Sequence, residues 1–217
     1  MCNKEKPWLA SYDHGVPEMV EIPAGKTSRD YLEESLRALP ASPAVFFFGR
    51  SITFAQLDEL SLRFASFLSR SGCGPGSVVA LHMPNLPHYL IAMVGALRAG
   101  CTVTGASILL TEKELLFQLK DSGAKVLVTL DMFFEKTAAP AAEKAPELKK
   151  VLVANVGDYL PSVKRALGRL LKKIPVGRVF PVPGKEVSAF TRTLAAPTPG
   201  RPEGSHANTD GAVIQYT

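Results

Sequence analysis

The chain holds 217 residues, 46% of them apolar and 21% charged, and carries a formal net charge of +5. This composition is too apolar for disorder and supplies the core of one large domain or part of a bigger protein. Three widely spaced cysteines, Cys2, Cys73 and Cys101, form no CxxC pair and have no histidine at metal-ligand spacing, which argues against a disulfide framework or a structural zinc and fits a reducing cytoplasm.

The start, MCNKEKPW, carries Lys4, Glu5 and Lys6 with no apolar run behind them, so it does not read as a secretory signal. Residues 1–43 are expected to form an N-terminal arm and a first helix, followed by an α/β core over 44–157. The core opens with AVFFFGRSITF, two short strands, Ala44 to Phe48 and Ser51 to Phe54, around a turn at Gly49 and Arg50. Thr53 and Gln56 have the spacing of a capping box, and Phe54, Leu57, Leu60, Phe64, Phe67 and Leu68 then repeat at helical spacing until Gly72.

SVVALHM is an uncharged strand of the kind buried between two helical layers. A helix from about Pro87 to Arg98 and a strand from Cys101 to Thr104 follow. Between Ser71 and Thr111 the one formal charge is Arg98, yet Pro84, Asn85 and Pro87 interrupt the run. Its longest apolar window, Tyr89 to Leu97, is well short of the ~20 residues of a membrane span. Thr111 and Glu114 make a second capping box for a helix ended by Gly123. AKVLVTL, residues 132–145 and KKVLVAN then read as strand, helix and strand. About five strand–helix alternations with short connections predict an α/β fold, a largely parallel sheet flanked by helices.

Residues 158–179 differ in character. Leu160, Val163, Leu167, Leu170, Leu171 and Ile174 recur at helical spacing, and Lys164, Arg165, Arg169, Lys172, Lys173 and Arg178 are basic, with no acidic residue between Tyr159 and Arg178. Those six charges exceed the net +5 of the whole chain. Two arrangements fit: an apolar stripe packed on the sheet beneath solvated charges, which is the commoner case, or a helix lying on an anionic membrane surface. No aromatic residue interleaves with the cations, so nucleic acid is not an expected partner. Residues 180–211 carry five prolines among Gly, Ser and Thr and read as a mostly extended connection. It leads to a terminal strand within residues 212–217.

No catalytic constellation emerges from the residues alone. GCGPG, Gly72 to Gly76, sits between helix and strand, the reverse of a phosphate-binding loop, and reads as a connecting turn. His14, His82, His88 and His206 are scattered; His82 lies in a buried strand pattern, and His88 could line a pocket. Ser71, Ser107 and Ser122 lack a nucleophile-elbow context.

ITFAQLDEL, MPNLPHYLIAMVGALRAG, LLTEKELLFQLKDSGAKVLV and VIQYT, in that order, resemble the adenylate-forming acyl-CoA synthetase superfamily, and long-chain fatty acyl-CoA ligases in particular. KPWLASYDHGVP and GDYLPSVKRALGRLLKK add to that likeness. The resemblance implies that the chain is the N-terminal portion of an enzyme joining a long-chain fatty acid to the α-phosphate of ATP with Mg²⁺, then passing the acyl group to coenzyme A. It places Thr217 at the first position of the ATP phosphate loop, Tyr216 and Gln215 on the strand before it, and Asn85 and His88 near the substrate side, with helix-start structure as the plainer role for the last two. It implies no catalytic residue, metal ligand or cofactor bound within these 217 residues, an inactive chain on its own, and a cytoplasmic parent; in the membrane-surface arrangement of residues 158–179 that parent is peripheral on the inner face, with Lys164, Arg165, Arg169, Lys172 and Lys173 meeting lipid. A non-enzymatic binding or oligomerisation module, including a homodimer, is the alternative. Ser107 and Ile108 stand where the family carries Asn-Pro, so the local turn is expected to differ.

Overall fold

The computed structural model describes residues 6–21, 23, 25–171, 174–195 and 210–217, leaving out the side chain of Arg169. Cys2, Lys172, Lys173, His206 and residues 196–209 of the Pro/Gly-rich connection therefore lie outside the described residues.

Local sequence signals set most element boundaries. A 3₁₀ turn at Pro7–Ser11 precedes α1 (Ser28–Ala38), which starts on a capping box between Thr27 and Asp30. Thr53 with Gln56 starts α2 (Phe54–Arg70) in the same way, and Thr111 with Glu114 starts α4 (Glu112–Asp121). Each box satisfies amide donors that a helix start would otherwise leave unpaired. Before α2, β1 (Pro43–Phe47) and β2 (Arg50–Thr53) form an antiparallel hairpin of their own. Gly72 (φ +72°) and Gly76 (φ +77°) bend the chain from α2 into β3 (Val78–His82), so GCGPG is a connecting turn.

α3 (Pro87–Arg98) leads to β4 (Thr102–Gly105), and α4 to β5 (Ala124–Leu130). At the Ser107 departure, the Leu110 amide donates to the Ser107 carbonyl at 3.2 Å and the Leu109 amide to Ser107 Oγ at 3.2 Å. The serine hydroxyl thus closes a turn that a proline would have fixed through φ. The helix expected over 132–145 is split: α5 (Asp131–Phe133) runs through a π-helical stretch, Phe134–Ala138, into α6 (Ala139–Lys144). β6 (Lys150–Ala154), a 3₁₀ turn at Val156–Tyr159 and α7 (Ser162–Leu170) complete the middle of the chain.

The reading of residues 180–211 as a plain connection needs correction. It contains β7 (Glu186–Ala189) and the short helix α8 (Phe190–Thr193). β7 is a four-residue edge strand with only partial burial, too short to show a period of its own; its pairing is fixed by the exposed edge of β6, Glu186 opposite Lys150.

With β8 (Val213–Ile214), six strands form one sheet in the order β7-β6-β5-β3-β4-β8, every pair parallel. One face carries Val79, Leu81, Val126 and Val128 under Leu57, Phe64 and Leu68 of α2 and Ile91 and Val94 of α3. The opposite face carries Ala80, Leu127 and Val151 under Leu115 and Leu119 of α4 and Phe134 and Ala142. Burial on both faces is why β3 and β5 are uncharged over nearly their whole length. Among the described residues no helix is long and apolar enough to cross a membrane.

Candidate functional site at the carboxyl ends of the strands

β3 is followed by β4 on one side and flanked by β5 on the other, while β5 is followed by β6 farther out. The connections after β3 and β5 thus leave in opposite directions, and in open parallel sheets ligands bind outside the carboxyl ends of strands at such a switch point. At that place His82, the last residue of β3, is fully buried, with Nδ1 3.0 Å from Thr129 Oγ1 on β5. Its Nε2 is buried with no hydrogen-bond partner among the described residues, so His82 is only half satisfied there. Burial lowers its pKa from 6.5 to about 4, and the ring is neutral at pH 7.

A separate run of polar contacts crosses the ends of β5 and β6. Asp131, directly after β5, accepts from the Met132 amide at 2.8 Å and from Asn155 Nδ2 at 2.6 Å. Asn155 Oδ1 accepts from the Gly157 amide at 2.8 Å, and Asp158 Oδ2 accepts from the Asn155 amide at 3.1 Å. The same Asp158 oxygen lies 3.1 Å from His88 Nε2 on α3. Burial opposes the charge of Asp158, but the His88 contact and the Asn155 amide outweigh it and hold the carboxyl below its ordinary pKa.

His88 packs inside the core formed by these residues. It is fully buried, its ring is edge-on to Tyr159 and Phe190, and its Nδ1 has no hydrogen-bond partner among the described residues. Burial pushes the Tyr159 hydroxyl up to about 12. Asn85 is exposed, and the N-cap of α3 is Leu86, with no side-chain cap, so the capping role considered for Asn85 is not present. Asp131, Asn155 and Asp158 were not singled out in the sequence. The spacing of Asn155 and Asp158, an Asx version of the capping box, was the available signal.

β8 runs parallel to β4, Val213 opposite Val103 and Ile214 opposite Thr104, so the chain leaves it at the carboxyl end of the sheet. The Tyr216 hydroxyl donates to Asp121 Oδ2 at 2.7 Å, and its ring stands edge-on to Phe117 at 6.4 Å. Burial and the Asp121 bond raise its pKa. Gln215 and Thr217 are exposed. Towards an ATP phosphate this terminus presents the exposed Thr217, a partial fit. Among the described residues no group of three or more His, Cys, Asp and Glu side chains could hold a metal ion. Cys73 and Cys101 are buried free thiols, Cys101 pushed up to about 12 by burial.

The basic segment departs from the commoner arrangement. α7 does not pack its stripe on the sheet: Val163 is 78% exposed, Leu167 53% and Leu170 79%. Instead Lys164 Nζ donates to the Phe48 carbonyl at the hairpin tip, at 2.7 Å. Arg165 lies close enough to Asp158 to favour its charge, and Arg50 faces the Tyr159 ring at 5.7 Å.

A parallel sheet ordered in this way, flanked by helices, with a strand delivering Tyr216 and Thr217 to the carboxyl edge, defines an open α/β architecture. A family model described as AMP-binding enzyme matches residues 32–217, and the chain belongs to that family. A long-chain-fatty-acid–CoA ligase of Bacillus subtilis (strain 168) is 36% identical over 169 residues, 78% of this chain and 30% of that protein. One of Yersinia pestis is 33% identical over 224 residues, 98% of this chain and 38% of that protein. The chain thus spans about a third of the length of these curated relatives. Among solved structures, coronafacic acid ligase from Pectobacterium brasiliense aligns with a TM-score of 0.66 at 17% identity, covering 88% of this chain and 33% of that one. A benzoate CoA ligase from Burkholderia xenovorans gives 0.56 at 23% identity, covering 70% and 29%. At those identities the structural matches speak to the fold.

Proposed function

We propose that these residues are the N-terminal part of a ligase that activates long-chain fatty acids with ATP and Mg²⁺ to acyl-adenylates and transfers the acyl group to coenzyme A. The observation that carries this reading is the 36% identity to the Bacillus subtilis long-chain-fatty-acid–CoA ligase within a family match over residues 32–217. In this reading the chain contributes the parallel sheet and brings Thr217 to the ATP phosphates, Tyr216 holding the terminal strand through Asp121. The chain alone is inactive, because it spans only 30% of that relative's length. Its basic helix, with Lys164, Arg165, Arg169, Lys172 and Lys173, rests on the inner face of the cytoplasmic membrane; the exposed Val163, Leu167 and Leu170 support that placement. The same exposed face also favours the alternative of a non-enzymatic binding or self-associating module.

The test has two arms. With ATP, Mg²⁺ and palmitate, the 217-residue chain is expected to form no acyl-adenylate. A chimera in which residues 32–217 replace the matching part of the Bacillus subtilis ligase is expected to form palmitoyl-CoA, and Thr217→Ala in that chimera to lower kcat by roughly a hundredfold. Adenylation by the chain alone, or a folded chimera without thioester formation, would refute the reading.

A further inference from the structure

The β1–β2 connection is a two-residue loop, Phe48 and Gly49, since Phe47 pairs with Arg50. Both loop residues have positive φ, 48° and 89°, the geometry of a turn that favours Asn-Gly. Among the described residues Phe48 is the one non-glycine with positive φ, a backbone state that Asn or Gly adopts at lower cost. Burial does not repay that cost, because Phe48 is 64% exposed and Phe46, two residues earlier, is 78% exposed. Their neighbour Phe47 packs against the core, so the hairpin can bury an aromatic ring where folding requires one.

The tip is joined to α7. Lys164 Nζ reaches the Phe48 carbonyl, and a Cβ at Gly49 would stand 3.3 Å from that ammonium. Two exposed aromatic residues thus lie on the hairpin whose tip contacts a helix exposing Val163, Leu167 and Leu170. No acidic residue occurs from 35 to 57 or from 159 to 185, while Arg50, Lys164, Arg165, Arg169, Lys172, Lys173 and Arg178 fall in those two segments. A second copy docking this surface on itself would bring like charges together, whereas an anionic lipid headgroup layer offers the opposite charge above an apolar interior.

We propose that the β1–β2 hairpin tip is a second lipid anchor, with Phe48 and Phe46 entering the headgroup–acyl boundary of an anionic membrane beside α7. The proposal rests on the membrane placement of α7 and adds a wedge remote from it in sequence. The strained position of Phe48 is the cost of holding an aromatic ring at the tip of a rigid turn, where it meets lipid before any other part of the hairpin.

The test is co-sedimentation of the chain with phosphatidylcholine vesicles, with and without phosphatidylglycerol. Phe48→Asn suits the turn and should melt at or above the parent temperature, yet bind phosphatidylglycerol vesicles roughly fivefold to tenfold more weakly through lost apolar burial. Phe48→Trp should show fluorescence quenched by brominated lipid. Parent-like binding by Phe48→Asn overturns the hairpin anchor. If the Lys164, Arg165, Arg169, Lys172 and Lys173→Gln variant then still loses binding, the α7 placement stands without it; if that variant also binds equally, both fail. Equal binding to vesicles lacking phosphatidylglycerol overturns the anionic requirement. A dimer that Phe48→Asn dissociates, with no vesicle binding, assigns the surface to self-association instead.

Discussion

Replacing Arg98 should unfasten three helices at once. Arg98 on α3 is 1% exposed, and its Nε donates to Glu33 Oε1 of α1 at 2.7 Å. Its Nη1 donates to the Asp58 carbonyl of α2 at 2.8 Å and to Ser61 Oγ at 2.7 Å, and its Nη2 to the Asp58 carboxylate. In Arg98→Met the volume stays but two carboxylates lose their cation. Glu33, 12% exposed, keeps a looser contact to Arg37 at 3.8 Å, and Asp58, 27% exposed, can rehydrate. Breaking a buried ion pair from one side costs about 3–5 kcal/mol, and the partial exposure of both acids points to the lower end, about 3 kcal/mol. With a urea dependence of about 2 kcal/mol per molar, the unfolding midpoint followed by circular dichroism should fall by roughly 1.5 M. Adding Glu33→Gln and Asp58→Asn should recover much of the loss, since neither partner then carries a charge that Arg98 had balanced. A single-variant loss below about 1 kcal/mol, or a triple variant no better than the single, would refute the reasoning.

Two further outcomes follow from buried groups. The His82 pKa is depressed from 6.5 to about 4, so the unfolded chain binds the proton first as pH falls. Its contribution is fully present above about pH 6.5 and is lost as pH falls towards 4, about 3 kcal/mol in all. His82→Asn should flatten the stability profile between pH 6.5 and 4.5, and parallel profiles would exclude His82 as the cause. Gly95 on α3 lies against α2, where an added Cβ would stand 2.7 Å from the Ser61 carbonyl oxygen and 2.9 Å from Phe64 Cδ1. Gly95→Ala should therefore cost about 1–2 kcal/mol net of the alanine helix preference, lowering Tm by roughly 4 °C; an unchanged or raised Tm would show that the helices can separate without penalty.

The three capping boxes at Thr27, Thr53 and Thr111 depend on contacts within four residues, and two of them, with the largely apolar strands SVVALHM and AKVLVTL, were readable directly from the sequence. The family resemblance rested on the same segments, which is why the fold class came through intact. Arg98 was visible as a lone charge in an apolar stretch, but its partners, Glu33 and Asp58, are 65 and 40 residues away and belong to other helices. β7 escaped notice because four half-buried residues after a Pro-rich run carry no period; a backbone edge on β6 made them a strand. The His88–Asp158 contact links positions 70 residues apart, and the Lys164–Phe48 contact links positions 116 apart. Local spacing therefore determined where most of the helices and core strands lie. Tertiary structure alone decided the strand order that gathers His82, Asp131, Asn155 and Asp158 at one edge, and left the apolar face of α7 turned outward beside Phe48, because both depend on which distant segments meet.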